Sequence, residues 1–324
     1  MISSFFKSRH YRVYAWSMLG FLSMLVAFSA YLTRQFNDWY KVFYDSLENK
    51  DYDAFLESFV NRGDFMLLDV TTWGFVPLAL LAILLYTYIS YLGNRYSFRW
   101  REAITYSYLP KWKYMDSHTE GASQRIQEDT LKFSAYVWSL GQGLLKAMMI
   151  LIFFIPVLWE LSTGFDIIPG YLVWIALVAS IGGLGVSVLV GRRLPQLEYN
   201  NQKVEAAFRK SLVRCEDSKD SHALEHLFKQ FQELKHNYYK LYDNYKYYSL
   251  WENLYFQAGV VIPYLVSAPQ YFAGTITLGT LVQIGNAFDK IHESMSFFTD
   301  NWLTVTELRS VVRRLNEFEN DIEL

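Results

Sequence analysis

Four stretches of this chain hold no Asp, Glu, Lys or Arg over 21 to 36 residues, and that pattern rules out an ordinary soluble domain. They are Val13–Thr33, Val70–Asn94, Ile167–Gly191 and Asn253–Phe288, with lengths of 21, 25, 25 and 36 residues. A fifth, Phe133–Trp159, is 27 residues broken only by Lys146. About 20 apolar residues in a helix suffice to cross the hydrocarbon core of a bilayer. The longest stretch exceeds one span and is interrupted by Gly274-Thr275-Ile276-Thr277-Leu278-Gly279, a turn signal that divides it into a hairpin. Only 19% of the residues are charged, against about 25% in a typical soluble domain. The expectation is an all-α polytopic membrane protein forming a single transmembrane domain, with six transmembrane helices over 13–33, 70–94, 133–159, 167–191, 253–273 and 278–306. Met1–Arg12 is basic, but the apolar run after it has no cleavage site, so it reads as an uncleaved first span.

The sixth of these is the unusual one. Leu278–Leu308 is apolar enough to enter a bilayer but carries Asp289, Glu293, Asp300 and Glu307 at spacings of four, seven and seven. At 100° per residue these acids fall within roughly 40° of each other on one helix face, over about 27 Å of axis. Each would cost roughly 2.5–3.5 kcal/mol facing lipid near the bilayer centre. The face therefore meets water, protein or a cation, or else the helix lies along the membrane surface. Lys146, midway along the third span, faces the protein interior or snorkels to the interface, with a carboxylate of the acidic stripe as a candidate partner.

The polar connections decide orientation. Residues 95–132 and 192–252 are too charged for lipid but helical in pattern, so they extend the helices beyond the membrane, the first turning at Pro110 or Gly121. Residues 34–69 are acidic and aromatic and read as two short amphipathic helices outside. With the N-terminus inside, the cytoplasmic segments hold 24 of the 30 Lys and Arg, while 34–69 holds four against eight acids. That bias follows the positive-inside rule and places both termini in the cytoplasm. The sixth helix then has to descend through the membrane, which disfavours a surface location.

Several chemistries find no footing. A net charge of −2 offers no electrostatic footprint for nucleic acid. Cys215 is the single cysteine, and the six histidines show no metal-ligand spacing. Ser139-Leu140-Gly141-Gln142-Gly143 resembles a scrambled ATP-cassette signature, but inside an apolar span glycines serve close helix contact. No G-x-x-x-x-G-K-[ST] phosphate loop occurs, and 16 residues follow Leu308, so no ATPase domain, no enzymatic activity and no cofactor are expected of this chain.

The segments GASQRIQEDTLKF, LPQLEYNNQKVEAAFRKSLVRCED and AGTITLG, followed by NWLTVTEL and RRLNEFE, resemble the SbmA/BacA family of bacterial inner-membrane peptide transporters. NDWYKVFYDSL and FRWREA fit the same family, so the resemblance runs from about His10 to Glu319. It implies a homodimer in the arrangement of ABC-exporter membrane domains without an ATPase domain. It also implies proton-driven import of peptides, antimicrobial peptides among them, across the inner membrane. The family's usual additional N-terminal helix is expected to be missing. Among the family's proton-coupling acids, the resemblance carries over Glu128, Glu198, Glu205, Glu216 and Glu307. Trp138 and Ser211 stand where typical members have Glu, Asp289, Glu293 and Asp300 stand where they are uncharged, and Gly259-Val260 replaces a common Asp-Asn pair.

A bland reading accompanies the cytoplasmic acids: Arg125, Arg209 and Arg214 lie within four residues of Glu128, Glu205 and Glu216 and could form pairs on a helix surface. The functional reading is that carboxylates in a partly dehydrated cavity take protons on the acidic side and release them on the other, biasing an inward/outward equilibrium. Two alternatives of other kinds remain. One is the membrane subunit of an ATP-driven transporter whose separate ATPase chain docks near Gly121; the other is a non-transporting membrane scaffold.

Overall fold

A computed structural model describes residues 1–61, 69–113, 122–162, 168–216 and 221–323. Among these, regular structure is helical: α1 Ile2–Phe6, α2 Arg12–Glu48, α3 Tyr52–Glu57, α4 Phe75–Lys113, α5 Ala122–Gln124, a π turn Arg125–Asp129, α6 Thr130–Leu161, α7 Tyr171–Gly191, α8 Leu194–Glu216, α9 Ser221–Phe272, α10 Leu278–Asp300 and α11 Trp302–Glu323. Four helical runs among the described residues are long and apolar enough to cross a membrane: α2, α4, Ala122–Leu161 and α7. They overlap the first four expected spans, containing 13–33 and 133–159 entirely and most of 70–94 and 167–191. The end of α9 is diluted by Tyr, Gln and Pro, and α10 by its charges, so neither joins that group on composition.

The chain forms two compact units, Met1–Leu177 with Pro263–Leu324, and Val178–Ile262. In the first, α2 and α6 pack against each other and each against α4 and α10, and α11 lies against α6 and α4. At one end an aromatic core joins α1, α4 and α6: Phe5 stacks on Trp100 with ring centroids 5.4 Å apart, and Trp100 meets Phe133 edge-on at 5.6 Å. Further along, Val26, Leu32, Leu78 and Ile89 are buried between α2 and α4, and Trp39 donates its indole N–H to the carbonyl of Ser58 at 2.7 Å. In the second unit α7 and α9 meet closely. Gly183 leaves room for the ring of Tyr255, whose hydroxyl donates to the carbonyls of Ala179 and Ser180 at 3.3 Å, and Trp251 Nε1 donates to Ser187 Oγ at 2.9 Å.

Glycines set two of the helix contacts in the first unit. A Cβ on Gly93 of α4 would overlap the indole of Trp138 on α6, and one on Gly143 would overlap the ring of Phe297 on α10. Gly143 thus serves helix contact, the reading given to the Ser139–Gly143 stretch, whereas a Cβ on Gly141 would meet nothing within 4 Å. Replacing Gly93 by Val forces Trp138 out of its site at a cost of about 1–3 kcal/mol, to be read as a lowered thermal midpoint in detergent.

Four boundaries differ from those the sequence suggested. Asn37–Glu48 is not a separate short helix but the continuation of α2, whose 37 residues reach about 55 Å. Its polar side chains do not end the helix because α10 offers them partners. The turn proposed at Pro110 is absent: α4 continues to Lys113, since a proline this close to a helix end removes only one backbone hydrogen bond. Gly121 and Ile167 lie outside the described residues. After α7 the chain turns at Arg192-Arg193 before α8, where Pro195 suits a first turn. Finally, the long acidic stretch is interrupted at Asn301, where α10 ends and α11 begins one residue later, although the backbone bonds Asn301 N to Phe297 O at 3.2 Å and Val305 N to Asn301 O at 3.0 Å carry helical hydrogen bonding through the join. The α9–α10 hairpin is where the sequence placed it: Gly274 has φ +72°, and Thr275 N donates to Gln270 O at 3.0 Å, closing α9.

Candidate functional site

The buried side of α10 is unambiguous. Ile284, Ala287, Phe288 and Ile291 have no exposed surface, and their i, i+3, i+4, i+7 spacing is that of a core-facing helix stripe. At 100° per residue, the direction of Asp289, Glu293 and Asp300 is about 180° from the centre of that stripe. The structure agrees with the geometry: Asp289 is half-buried and Glu293 and Asp300 are exposed. Glu293 accepts from Lys290 Nζ at 2.7 Å on the same face. His292 lies within electrostatic reach of Asp289, Asp300 and Glu293. Reading the histidines as scattered passed over it, although its position between two of the acids was visible in the sequence.

Glu307 lies on α11 and finds its partners on α6. Its carboxylate accepts from the Tyr136 hydroxyl at 2.6 Å and stands 3.9 Å from Lys132 Nζ. Lys132 also pairs with Glu128 at 2.8 Å, and Gln124 Nε2 donates to Glu128 at 3.1 Å. The hydrogen bond from Lys132, then that from Gln124, holds the Glu128 carboxyl below the usual range. Glu128 and Glu307 are thus brought together through one lysine. The pairing of Glu128 with Arg125 on the helix surface does not form; Arg125 turns to Asp129 instead.

Asp129 is the most buried acid of this group, with 1% of its side chain exposed. Arg314 of α11 grips it with two hydrogen bonds, Nε to Oδ2 at 2.9 Å and Nη2 to Oδ1 at 2.6 Å. Arg125 Nη1 adds a third at 3.0 Å. Burial pushes this carboxyl up, but the hydrogen bonds from Arg314 and Arg125 outweigh it and hold Asp129 below the usual carboxylate range. A group lowered on folding stabilises the fold above its unfolded value, near pH 3.9, and that stability is lost as pH falls through the folded value. Denaturation of the detergent-solubilised chain is expected to show a fall in stability below about pH 4, and the fall is shallower in Asp129→Asn.

The remaining expected acids belong to the second unit. In the second unit Glu205 is exposed and accepts from the Tyr238 hydroxyl at 3.2 Å rather than from an arginine. Glu198 is half-buried near Tyr245, whose hydroxyl is raised by burial and then by that carboxylate. The side chain of Glu216 lies outside the described residues. Lys146 is exposed, and among the described residues its ammonium sits 5.2 Å from the ring centre of Tyr86 on α4, a cation–π contact rather than a carboxylate pair. Trp138 fills space under Gly93 and packs on Tyr96 at 5.5 Å, so its position is structural. Among the described residues no group of three His, Cys, Asp or Glu could hold a metal ion.

Known proteins place this bundle. The chain is 29% identical over 311 residues to the inner membrane ABC transporter ATP-binding protein YddA of Escherichia coli (strain K12), a match covering 87% of this chain and 53% of that protein. It is 28% identical over 303 residues to ABC transporter D family member 2, chloroplastic, of Arabidopsis thaliana, covering 88% of this chain and 40% of that one. An uncharacterized ABC transporter ATP-binding protein, sll0182 of Synechocystis sp., is 25% identical over 285 residues, covering 82% and 42%. The chain spans about half the length of these relatives or less. The model of the SbmA/BacA-like family matches residues 10–323, nearly the whole sequence. By that match, this chain, helical through its described residues and with four helical runs among them long and apolar enough to cross a membrane, belongs to the SbmA/BacA-like family.

Proposed function

We propose that the chain forms the membrane domain of a bacterial inner-membrane transporter that imports peptides, cationic ones above all, as a homodimer driven by protons. Six helices cross the membrane in this reading, the α9–α10 hairpin supplying the last two, with both termini in the cytoplasm. One observation carries it: α10 turns Asp289, Glu293 and Asp300 away from its buried stripe. Acids in that position, on a helix otherwise apolar enough for a bilayer, are stable where they line a wet path rather than meet lipid. A cationic peptide entering such a path meets complementary charge, and protonation of the same acids releases it and shifts the balance between inward- and outward-facing states. Glu128 and Glu307, joined through Lys132 at the end of α6, form the inner station of that path, while Glu198, Glu205 and Glu216 belong to the helical extension beyond it.

A second reading is favoured by the relatives: YddA and sll0182 are named as ATP-binding proteins, and the three relatives are about twice as long as this chain. Here the bundle is driven by an ATPase, in the same or a separate polypeptide. Purified chain in liposomes separates the two. Uptake of a fluorescent cationic peptide under an imposed proton gradient, with no nucleotide present, is the expected result; uptake that begins only when an ATPase partner and ATP are supplied would overturn proton drive.

A further inference from the structure

The first turn of α10 is held by carboxylates from another helix. Glu48 Oε2 of α2 accepts from the backbone N–H of Leu278 at 2.8 Å, and Asp45 Oδ1 accepts from that of Gly279 at 2.9 Å. One turn deeper, Gln283 Nε2 donates to Asp38 Oδ1 at 2.8 Å. The Tyr271 hydroxyl, at the end of α9, hydrogen-bonds Glu48 as well. Asp38, Asp45 and Glu48 stand seven and three residues apart, which puts them within roughly 80° of one another on α2. The close approach depends on Gly279, since a Cβ there would overlap the carbonyl oxygen of Lys41 and the carboxylate of Asp45.

These contacts answer two needs of α10. The opening N–H groups of a helix have no partner within it, and the positive end of the helix dipole favours anions beside it. Thr277 provides a local cap, its Oγ1 accepting from Thr280 N at 3.2 Å, so the two α2 carboxylates serve the N–H groups the local cap leaves over. The join is also of a kind that can open. It consists of hydrogen bonds to charged groups, and the turn beyond it is exposed at Ala273, Gly274 and Thr275 with Phe272 85% exposed. Exchanging such bonds for bonds to water is nearly balanced, unlike the separation of apolar surfaces. The apolar stripe of α10 can stay packed while its first turn swings.

We propose that Asp38, Asp45 and Glu48 of α2 form a latch on the first turn of α10, and that this latch closes the outer mouth of the transport path and must release for peptide to enter. The inference rests on the transport reading above for its role as a gate, but not for its existence as a latch.

Two arms test it separately, in a Cys215→Ser background so that no native thiol interferes. In the first, spin labels at Leu47→Cys and Ala273→Cys report the α2–hairpin distance in proteoliposomes. The expected result is one short population in the parent and an added long one in Asp45→Ala/Glu48→Ala, with Asp45→Asn/Glu48→Gln in between because an amide oxygen still accepts. An unchanged distribution in the double alanine variant overturns the latch. In the second arm, Asp38→Cys and Gln283→Cys, whose native side chains touch, are joined by a short reducible dithiol-reactive linker. Uptake is expected to fall in proportion to the linked fraction and return on reduction; uptake that persists in fully linked protein overturns the gate. If no preparation takes up peptide, the transport reading has failed, and the spin-label arm still decides the latch.

Discussion

The triple variant Asp289→Asn/Glu293→Gln/Asp300→Asn is expected to lose proton-driven peptide uptake to the level of protein-free liposomes while keeping the melting behaviour of the parent. Both halves follow from where α10 puts these residues. Their face lies opposite Ile284, Ala287, Phe288 and Ile291, so the neutral isosteres leave the buried stripe untouched. Substitutions away from cores and buried networks usually change stability by no more than about 0.5 kcal/mol. The Lys290–Glu293 pair that is removed leaves the carboxylate 58% exposed, and an exposed pair of this type contributes about 0.3–0.5 kcal/mol. What the variant removes is every carboxylate of α10, and with them the negative charge that attracts a cationic peptide and is discharged by a proton; His292 stays in place but carries no negative charge. Uptake assays and thermal denaturation on the same preparation check the pair of outcomes. Loss of both together would mean the acids hold the fold, and survival of uptake would remove them from the transport path.

The second large effect concerns stability. Asp129→Ala leaves the guanidinium of Arg314 without its two-bond partner and takes the counter-charge from Arg125. Breaking a buried pair from one side costs about 3–5 kcal/mol, because the abandoned charge keeps its desolvation cost. Arg314→Ala is expected to cost a similar amount, and the double alanine variant less than the sum, since the second substitution removes a charge already stranded. Denaturant titration in detergent measures all three. The consequence reaches the candidate site: Asp129 closes the π turn that also carries Glu128, and Arg314 fixes α11 against α6, where Glu307 meets Tyr136 and Lys132. Loosening that clasp is expected to separate Glu128 from Glu307.

Much of this architecture is readable from the chain because the membrane imposes a coarse rule. Long apolar runs have few folds open to them, so four helices able to cross a membrane follow from length and composition, and the αL glycine at 274 marks the hairpin. The orientation of the α10 acids is equally legible, since a 100° period fixes where Asp289, Glu293 and Asp300 stand relative to Ile284 and Phe288. Features that depend on a distant partner are not legible. Asp129 is an ordinary acid in QEDT until Arg314, 185 residues later, is folded onto it. Local spacing directs attention instead to its neighbour Glu128, with Arg125 in apparent reach. Asn37–Glu48 looks too polar to continue an apolar helix, yet α2 runs on through it because Asp38, Asp45 and Glu48 find donors on α10. The interruption at Asn301 is a third case: no Gly or Pro announces it, and a side-chain bond to the carbonyl of Phe297 accompanies it.

The central claim is that the acidic face of α10 carries protons together with peptide. Liposomes containing the chain and a trapped pH dye, held with a more acidic exterior, test it when a fluorescent cationic peptide is added outside. The account predicts that internal acidification accelerates in step with peptide entry in the parent chain and that both signals vanish in the triple variant. Peptide entry without any accompanying proton movement would contradict it.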